Sequence, residues 1–339
     1  MSAGTAIPSV AEALARGVGV LGARAGLRPI HQLAGVAESP PLGAAIVVSD
    51  EMPLRQALAM WSKARAQRDH TGLSPIVVAA GFGELAVHGW LGPERNDDLA
   101  TTLAAFEQES ADGFFGARAR DDGDMAARVE AALDALGARA GCDPMSILHR
   151  LPIDDLEAIE SGGDGDGDGD GGDGINFAEP PLPDDVRAAH AQLLVEREAA
   201  LELARRTPGP RLLWQQTARS FDEATAVAEI TGGPARLALV AAPPALTLLH
   251  LGFGGFNDCP APHQHARVWE HWQRAVGAEP VLLDDDRMEG IIAHPIDTRA
   301  ALVSFTSEVA AYDANTLSAG VLSLAGRLYR NAGVRFWWD

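Results

Sequence analysis

DGDGDGDGGDGINFAE, residues Asp164–Glu179, reads as either a calcium loop or an acidic tether between two folded parts. An EF-hand loop follows D-x-D-x-D-G-x-I-x-x-x-E, with glycine at the sharp turn and a bidentate glutamate at the end. Asp166, Asp168 and Asp170 take the first three ligand positions and Gly171 takes the turn. Ile175 and Glu179 then follow in the right order but two residues late, with Gly172 and Asp173 in excess. Ile153–Glu160 offers an entering helix, but Pro180 and Pro181 stand where the exit helix should begin. From Ser161 to Gly174 the chain holds only Ser, Gly and Asp, a composition that cannot bury a core. The spacing favours a disordered linker over calcium held by Asp166, Asp168, Asp170 and Glu179.

Working outward, that linker (residues 161–182) divides the chain into an N-terminal α/β domain, 1–160, and a C-terminal α/β domain, 183–339, with a leading helix. In the first, Ala44–Val48 (AAIVV) and Ser74–Ala80 (SPIVVAA) are short apolar runs rich in β-branched residues, expected as buried strands. Between them Leu54, Leu58 and Trp61 recur at helical spacing. A helix capped by Asn96 is expected through Leu99–Gln108, and another over Met125–Ala140, stopped by Gly141. In the second, Asp184–Arg206 forms the charged leading helix, and Arg211–Gln216 and Arg236–Ala242 are strand candidates. Pro244 opens a short helix ending at Gly252, and Pro262–Gly277 forms a longer one carrying Trp269 and Trp272. Glu279–Leu283 and Gly290–His294 are expected to pair around Asp284–Asp286; two helices and a strand, Val334–Trp338, follow.

The formal net charge is −20 over 339 residues, but twelve acidic residues and no basic ones fall between Leu151 and Val186. The rest carries about −8, an ordinary value with no basic groove, so no nucleic acid partner is expected. Two distant cysteines, Cys142 and Cys259, fit a reduced cytoplasmic protein. The apolar run from Leu237 is short and split by Pro243-Pro244, so no membrane association is expected. Lys63 is the only lysine, a usage pointing to a GC-rich bacterial genome.

Beyond Gly252 the chain combines GFGGFND (Gly252–Asp258), a Trp-bearing helix, a GAEPV strand, an AHP strand end and a terminal FWWD (Phe336–Asp339). That order resembles the DUF4253 family of bacterial domains of unknown function, over roughly the last hundred residues. The resemblance implies an α/β domain and no assigned chemistry. Such proteins often carry a Glu-His pair and a Cys-Pro-Asp run after the AHP-like strand end. Here that stretch reads SEVAAYDAN, so Glu308 and Asp313 match while the His and Cys do not. A metal or redox role built on the missing pair does not carry over.

Cys259, His263, His265 and His271 fall within thirteen residues and invite a zinc reading. His265 and His271 are six apart, however, and point in different directions on one helix. A capped helix start with exposed histidines is the simpler account. Gly252–Gly255 lacks the spacing of a nucleotide loop, and its glycines suit a tight turn of positive φ. No nucleophile elbow appears, and no acid–base neighbour is legible for either cysteine. Asn257, Asp258, Glu308 and Asp313 are the catalytic candidates, as a carboxylate cluster with or without a metal. Gly254, Gly255, Phe256, Asn257, Trp337, Trp338 and Asp339 form the expected binding surface. The leading expectation is a protein-binding module of the immunity or antitoxin type without cofactor; the alternative is a carboxylate hydrolase.

Overall fold

Strand β5 (Pro234–Val240) decides the architecture, because it is hydrogen-bonded on both edges by strands from the other half of the chain. In the computed structural model, residues 8–33, 45–79, 99–122, 124–150, 156, 159, 234–284, 286–331 and 333–338 are described. The calcium candidates Asp166, Asp168, Asp170 and Glu179, the linker, the leading helix, the Arg211–Gln216 strand and Asp339 lie outside them. The N-terminal strands are β1 (Arg28–Pro29), β2 (Ile46–Val48), β3 (Met52–Pro53) and β4 (Ser74–Ala79). After β5 come β6 (Glu279–Leu283), β7 (Arg287–Ile291) and β8 (Gly333–Trp337). Together they make one sheet in the order β1-β2-β5-β4-β6-β7-β8, with β3 also pairing β5. β4 and β6 run parallel; the other described pairs are antiparallel.

This corrects the division into two separate α/β domains. Each half contributes strands that leave backbone donors and acceptors on an open edge, and β5 satisfies β2 and β4 at once. Strand identity was readable from apolar runs; strand partners were not.

Both faces of the sheet are covered, which is why the strands read as continuous apolar runs. Val77, Leu237 and Leu239 join one apolar cluster, covered by α1 (Val10–Leu21) and α2 (Leu54–Ala66), with a short α3 (Arg68–Thr71) following. Ile76, Val78, Ala238 and Val240 join the other. It is built with α5 (Ala111–Asp122), α6 (Met125–Ala140), α7 (Pro144–Arg150), α8 (Thr247–Leu251), α9 (Pro262–Val276), α10 (Arg299–Tyr312) and α11 (Val321–Leu328). Another helix, α4 (Leu99–Gln108), lies against α9.

Local signals fix the helix ends. Asp124 caps α6 and Gly141, in the left-handed region, stops it. Pro262 opens α9, Gln264 accepts from the Ala261 N–H, and Gly277 at φ 65° ends it. β7 starts at Arg287, three residues before the expected Gly290, so the turn after β6 is tighter than the sequence suggests. Gly290 admits the Trp269 indole, whose ring lies 2.3 Å from where a Cβ would stand. Glu279 at the start of β6 binds Arg65 of α2 at 2.9 Å and Arg68 of α3 at 2.8 Å, tying the halves together.

Candidate functional site

Arg287 pairs with Trp337, so the start of β7 and the end of β8 lie beside Leu283, the carboxyl end of parallel β6. In α/β sheets that end is where ligands collect. Gly252 at φ 68° closes α8, and the chain reverses through Gly254 (φ 110°), Gly255 (φ 78°) and Asn257 (φ 45°). The Gly255 N–H donates to Pro260 O at 3.0 Å, and the Cys259 N–H to Phe256 O at 2.8 Å. Gly254 must be glycine: a Cβ there would stand 2.2 Å from Pro260 O and 2.6 Å from the His265 ring. Gly255, Asn257 and Asp258 are exposed, Phe256 is half-buried against Phe253, and Gly254 is buried. Arg118 of α5 pins the turn by donating to Asp258 O at 3.2 Å.

Beneath the turn lies a buried polar cluster. Cys259 Sγ is 3.3 Å from His265 Nε2. His265 Nδ1 is hydrogen-bonded to the Tyr312 hydroxyl, which also accepts the Trp269 Nε1–H at 2.9 Å. Burial pushes the His265 imidazole down to about 3, helped by His263 and Arg118. The Cys259 thiol is pushed up by burial, with Asp313 adding and the Gly255 N–H and Arg118 opposing. Both are neutral at rest, so this is no thiolate–imidazolium pair.

Two expectations are corrected here. His265 is fully buried rather than exposed, and Cys259 does have an acid–base neighbour. The proline-opened first turn of α9 folds Cys259 back over the fourth helical residue, a geometry that sequence spacing along a straight helix does not convey. His263 points elsewhere, 3.8 Å from Glu109, and His271 pairs with Glu308 at 3.2 Å, so the four candidate zinc residues do not converge. Among the described residues no group of three or more His, Cys, Asp or Glu side chains is arranged to hold a metal ion.

The carboxylate candidates have different partners. Glu308 accepts from Trp272 Nε1 at 2.8 Å and from Ser304 at 3.0 Å, on the face of α10 turned to α9. Asp313 accepts from the backbone N–H groups of Asn315 and Trp337, each at 3.0 Å. Burial raises Asp313 to about 6 against the pull of those two donors and Arg118. Asp258 offers its backbone oxygen to the same Arg118. Asp258 and Asp313 therefore belong to the surroundings of Arg118, while Glu308 serves the α9–α10 contact.

Trp337 and Trp338 part company, as successive strand residues must. Trp338 is 1% exposed, packed on Phe253, His265, Tyr312 and Phe336. Trp337 is 42% exposed, and its Nε1–H donates to Asp286 at 2.7 Å. The Arg287 guanidinium lies 5.7 Å from its ring, and Asn315 Nδ2 donates to its carbonyl at 2.9 Å. Of the expected binding residues, Gly255, Asn257 and Trp337 are exposed at this end of the fold, whereas Gly254 and Trp338 are buried supports. Sequence reading missed Arg118 and Asn315, which no motif marks. A separate cleft of about 580 Å³ beside α9 is lined by Glu109, Asp112, Arg267, Glu270, His271 and Arg274. Two of its charges, Arg267 and Glu270, pair with each other at 3.0 Å.

Residues 236–339 match the family described as Domain of unknown function, DUF4253. No curated protein and no solved structure matches the chain. The DUF4253 segment supplies β5–β8, the turn, the thiol cluster and both terminal tryptophans. Arg118, β2 and β4 come from outside it, so the DUF4253 part is completed by the preceding chain. Among the described residues no helix is long and apolar enough to cross a membrane.

Proposed function

We propose that the chain is a cytoplasmic bacterial protein-binding module, of the immunity or antitoxin type, needing no cofactor. Its partner is a protein, held at the sheet end by Gly255, Phe256, Asn257, Asn315 and Trp337. Trp337 carries this reading: it is the exposed large hydrophobic side chain among the described residues. Asp286 and Arg287 hold it in place, so docking costs it little rotamer entropy. The exposed turn, tied to the same end of β8 through Phe253 on Trp338, offers polar groups to a rim. The test compares affinity capture from the native host with wild type, Trp337→Ala and Asn257→Ala, each checked for an unchanged melting temperature. Loss of the same partner with both variants supports the surface; equal capture by all three overturns it.

One observation favours a second reading, a hydrolase acting through a carboxylate. Asp313, raised to about 6 and beside Arg118, has the proton affinity of a general base near neutral pH. Against it, both backbone donors already occupy that carboxylate. Ester or phosphoester turnover that vanishes in Asp313→Asn, with partner capture intact, would move the assignment to this reading.

A further inference from the structure

The cleft beside α9 is walled by charges of both signs, and those at its two ends do not meet. Glu109, Ser110 and Asp112, where α4 gives way to α5, form one wall; Arg267, His271 and Arg274 of α9 stand on the other. The central charges are already engaged. Arg267 donates twice to Phe106 O, at 2.7 and 3.0 Å, and pairs with Glu270 at 3.0 Å. His271 is turned to Glu308 at 3.2 Å. At one end, Glu109 has the His263 Nε2 at 3.8 Å, beyond hydrogen-bond distance. Burial lowers the His263 imidazole against the opposing pull of Glu109, so this neighbour is uncharged at neutral pH. The Glu109 carboxylate, on a side chain 23% exposed, then faces no cation among the described residues. At the other end, Arg274 donates through Nε to Glu270 O at 3.2 Å, one turn back on its own helix. Its terminal nitrogens have no acceptor among the described residues. Arg274 stands eleven residues after His263, about 16 Å along the helix axis.

We propose that this cleft binds short peptides of three to four residues with free termini, the N-terminal ammonium on Glu109 and the C-terminal carboxylate on Arg274. Both residues line one cavity of about 580 Å³ without forming an ion pair, so a molecule that satisfies both carries opposite charges held apart. A single amino acid has its ammonium and carboxylate on one carbon and reaches only one end. An extended chain of three or four residues spans about 10–14 Å, the separation that two inward-reaching side chains leave. The Ser110 hydroxyl accepts the Gly113 N–H at 2.9 Å and keeps its own proton for a peptide carbonyl between the ends. Asp112 on the same wall is exposed and has no basic partner among the described residues, which sets the cleft against simple anions such as phosphate. The volume falls within the roughly 300–1,000 Å³ usual for small-ligand sites. The cleft shares no residue with the Trp337 surface, so this site goes beyond the binding reading and does not depend on it.

Titration calorimetry of the full chain, at neutral pH and low salt, tests this with trialanine as the probe. N-acetyl-trialanine, trialanine amide and free alanine are the comparisons. Saturable binding of trialanine is expected, about tenfold weaker when either terminus is blocked and absent for alanine. Each variant should lose what its own terminus supplies. Glu109→Gln should weaken trialanine about tenfold and leave the acetylated peptide as it was; Arg274→Gln should do the same with respect to the amide. Melting temperatures check that both variants fold. No saturable binding of trialanine up to about 10 mM overturns the proposal, as does equal binding of free and blocked peptides. Losses that are the same for free and blocked peptides in the folded variants overturn it too. If a variant does not fold, the blocked peptides on wild type decide alone.

Discussion

The carboxylate of Asp313 accepts the backbone N–H of Trp337 at 3.0 Å, joining the end of α10 to the end of β8 across 24 residues of chain. Burial raises this carboxyl from its ordinary 3.8 to about 6. The native state therefore binds the proton more tightly than the unfolded chain. The group's contribution is fully present below about pH 3.8 and is lost as pH rises through 6. Between those limits wild type should lose about 2–3 kcal/mol through this residue. Urea midpoints measured from pH 4 to 7 should show that loss in wild type relative to Asp313→Asn. Parallel pH profiles for the two proteins would contradict it.

Gly254 and Gly255 are neighbours of positive φ with different surroundings. A Cβ at Gly254 meets Pro260 O at 2.2 Å and the His265 ring at 2.6 Å, while one at Gly255 meets only Pro262 Cδ at 3.9 Å. Gly255→Ala should cost only the backbone penalty, about 1 kcal/mol. Gly254→Ala adds a clash with backbone and a buried ring, and should cost about 3 kcal/mol or more. Denaturant unfolding of the two variants checks the ranking; equal losses would mean the turn yields freely.

Tyr312 is the hub of the buried cluster, bonded to both His265 and Trp269. Tyr312→Phe keeps the ring contacts with Phe336 at 4.7 Å and Trp272 at 4.9 Å but strands two buried polar groups. The expected cost is about 2–4 kcal/mol, well above that of an exposed Tyr→Phe change. Calorimetry or urea unfolding reads it directly. A loss under about 0.5 kcal/mol would mean that His265 and Trp269 find other partners.

Much of the fold was legible because each element carries its own signal. Leu54, Leu58 and Trp61 sit at helical spacing and all three are buried on α2; Val77 and Ile76 sit on opposite faces of β4 as alternation requires. The chain's division was misread because strand pairing leaves no local mark: nothing within Arg236–Val240 announces Val48 and Val78 as neighbours. The turn at Gly254–Asp258 was legible through its glycines and Asn257. The cluster beneath it was not, since its members are brought together by the reversal at Pro260 and the far end of α10. Arg118 lay outside any motif, on a helix with no expected boundary.

Glu279 is a buried charge that joins the two sides of the chain. Burial alone would raise its carboxyl, but hydrogen bonds and charge from Arg65 and Arg68 more than offset it and hold the group below its ordinary 4.5. Its side chain is 9% exposed, against 22% and 25% for the two arginines. Glu279→Gln keeps the shape and removes the anion, leaving two partly buried guanidiniums facing each other. The expected cost near neutral pH is about 2–3 kcal/mol, below the value for a fully enclosed pair because the arginines reach water. The sign with pH is opposite to that of Asp313: this stability is present above about 4.5 and disappears as pH falls through the folded value. Unfolding curves of wild type and Glu279→Gln should therefore differ at pH 7 and converge in acid. A constant gap at all pH values would assign the loss to packing rather than to charge.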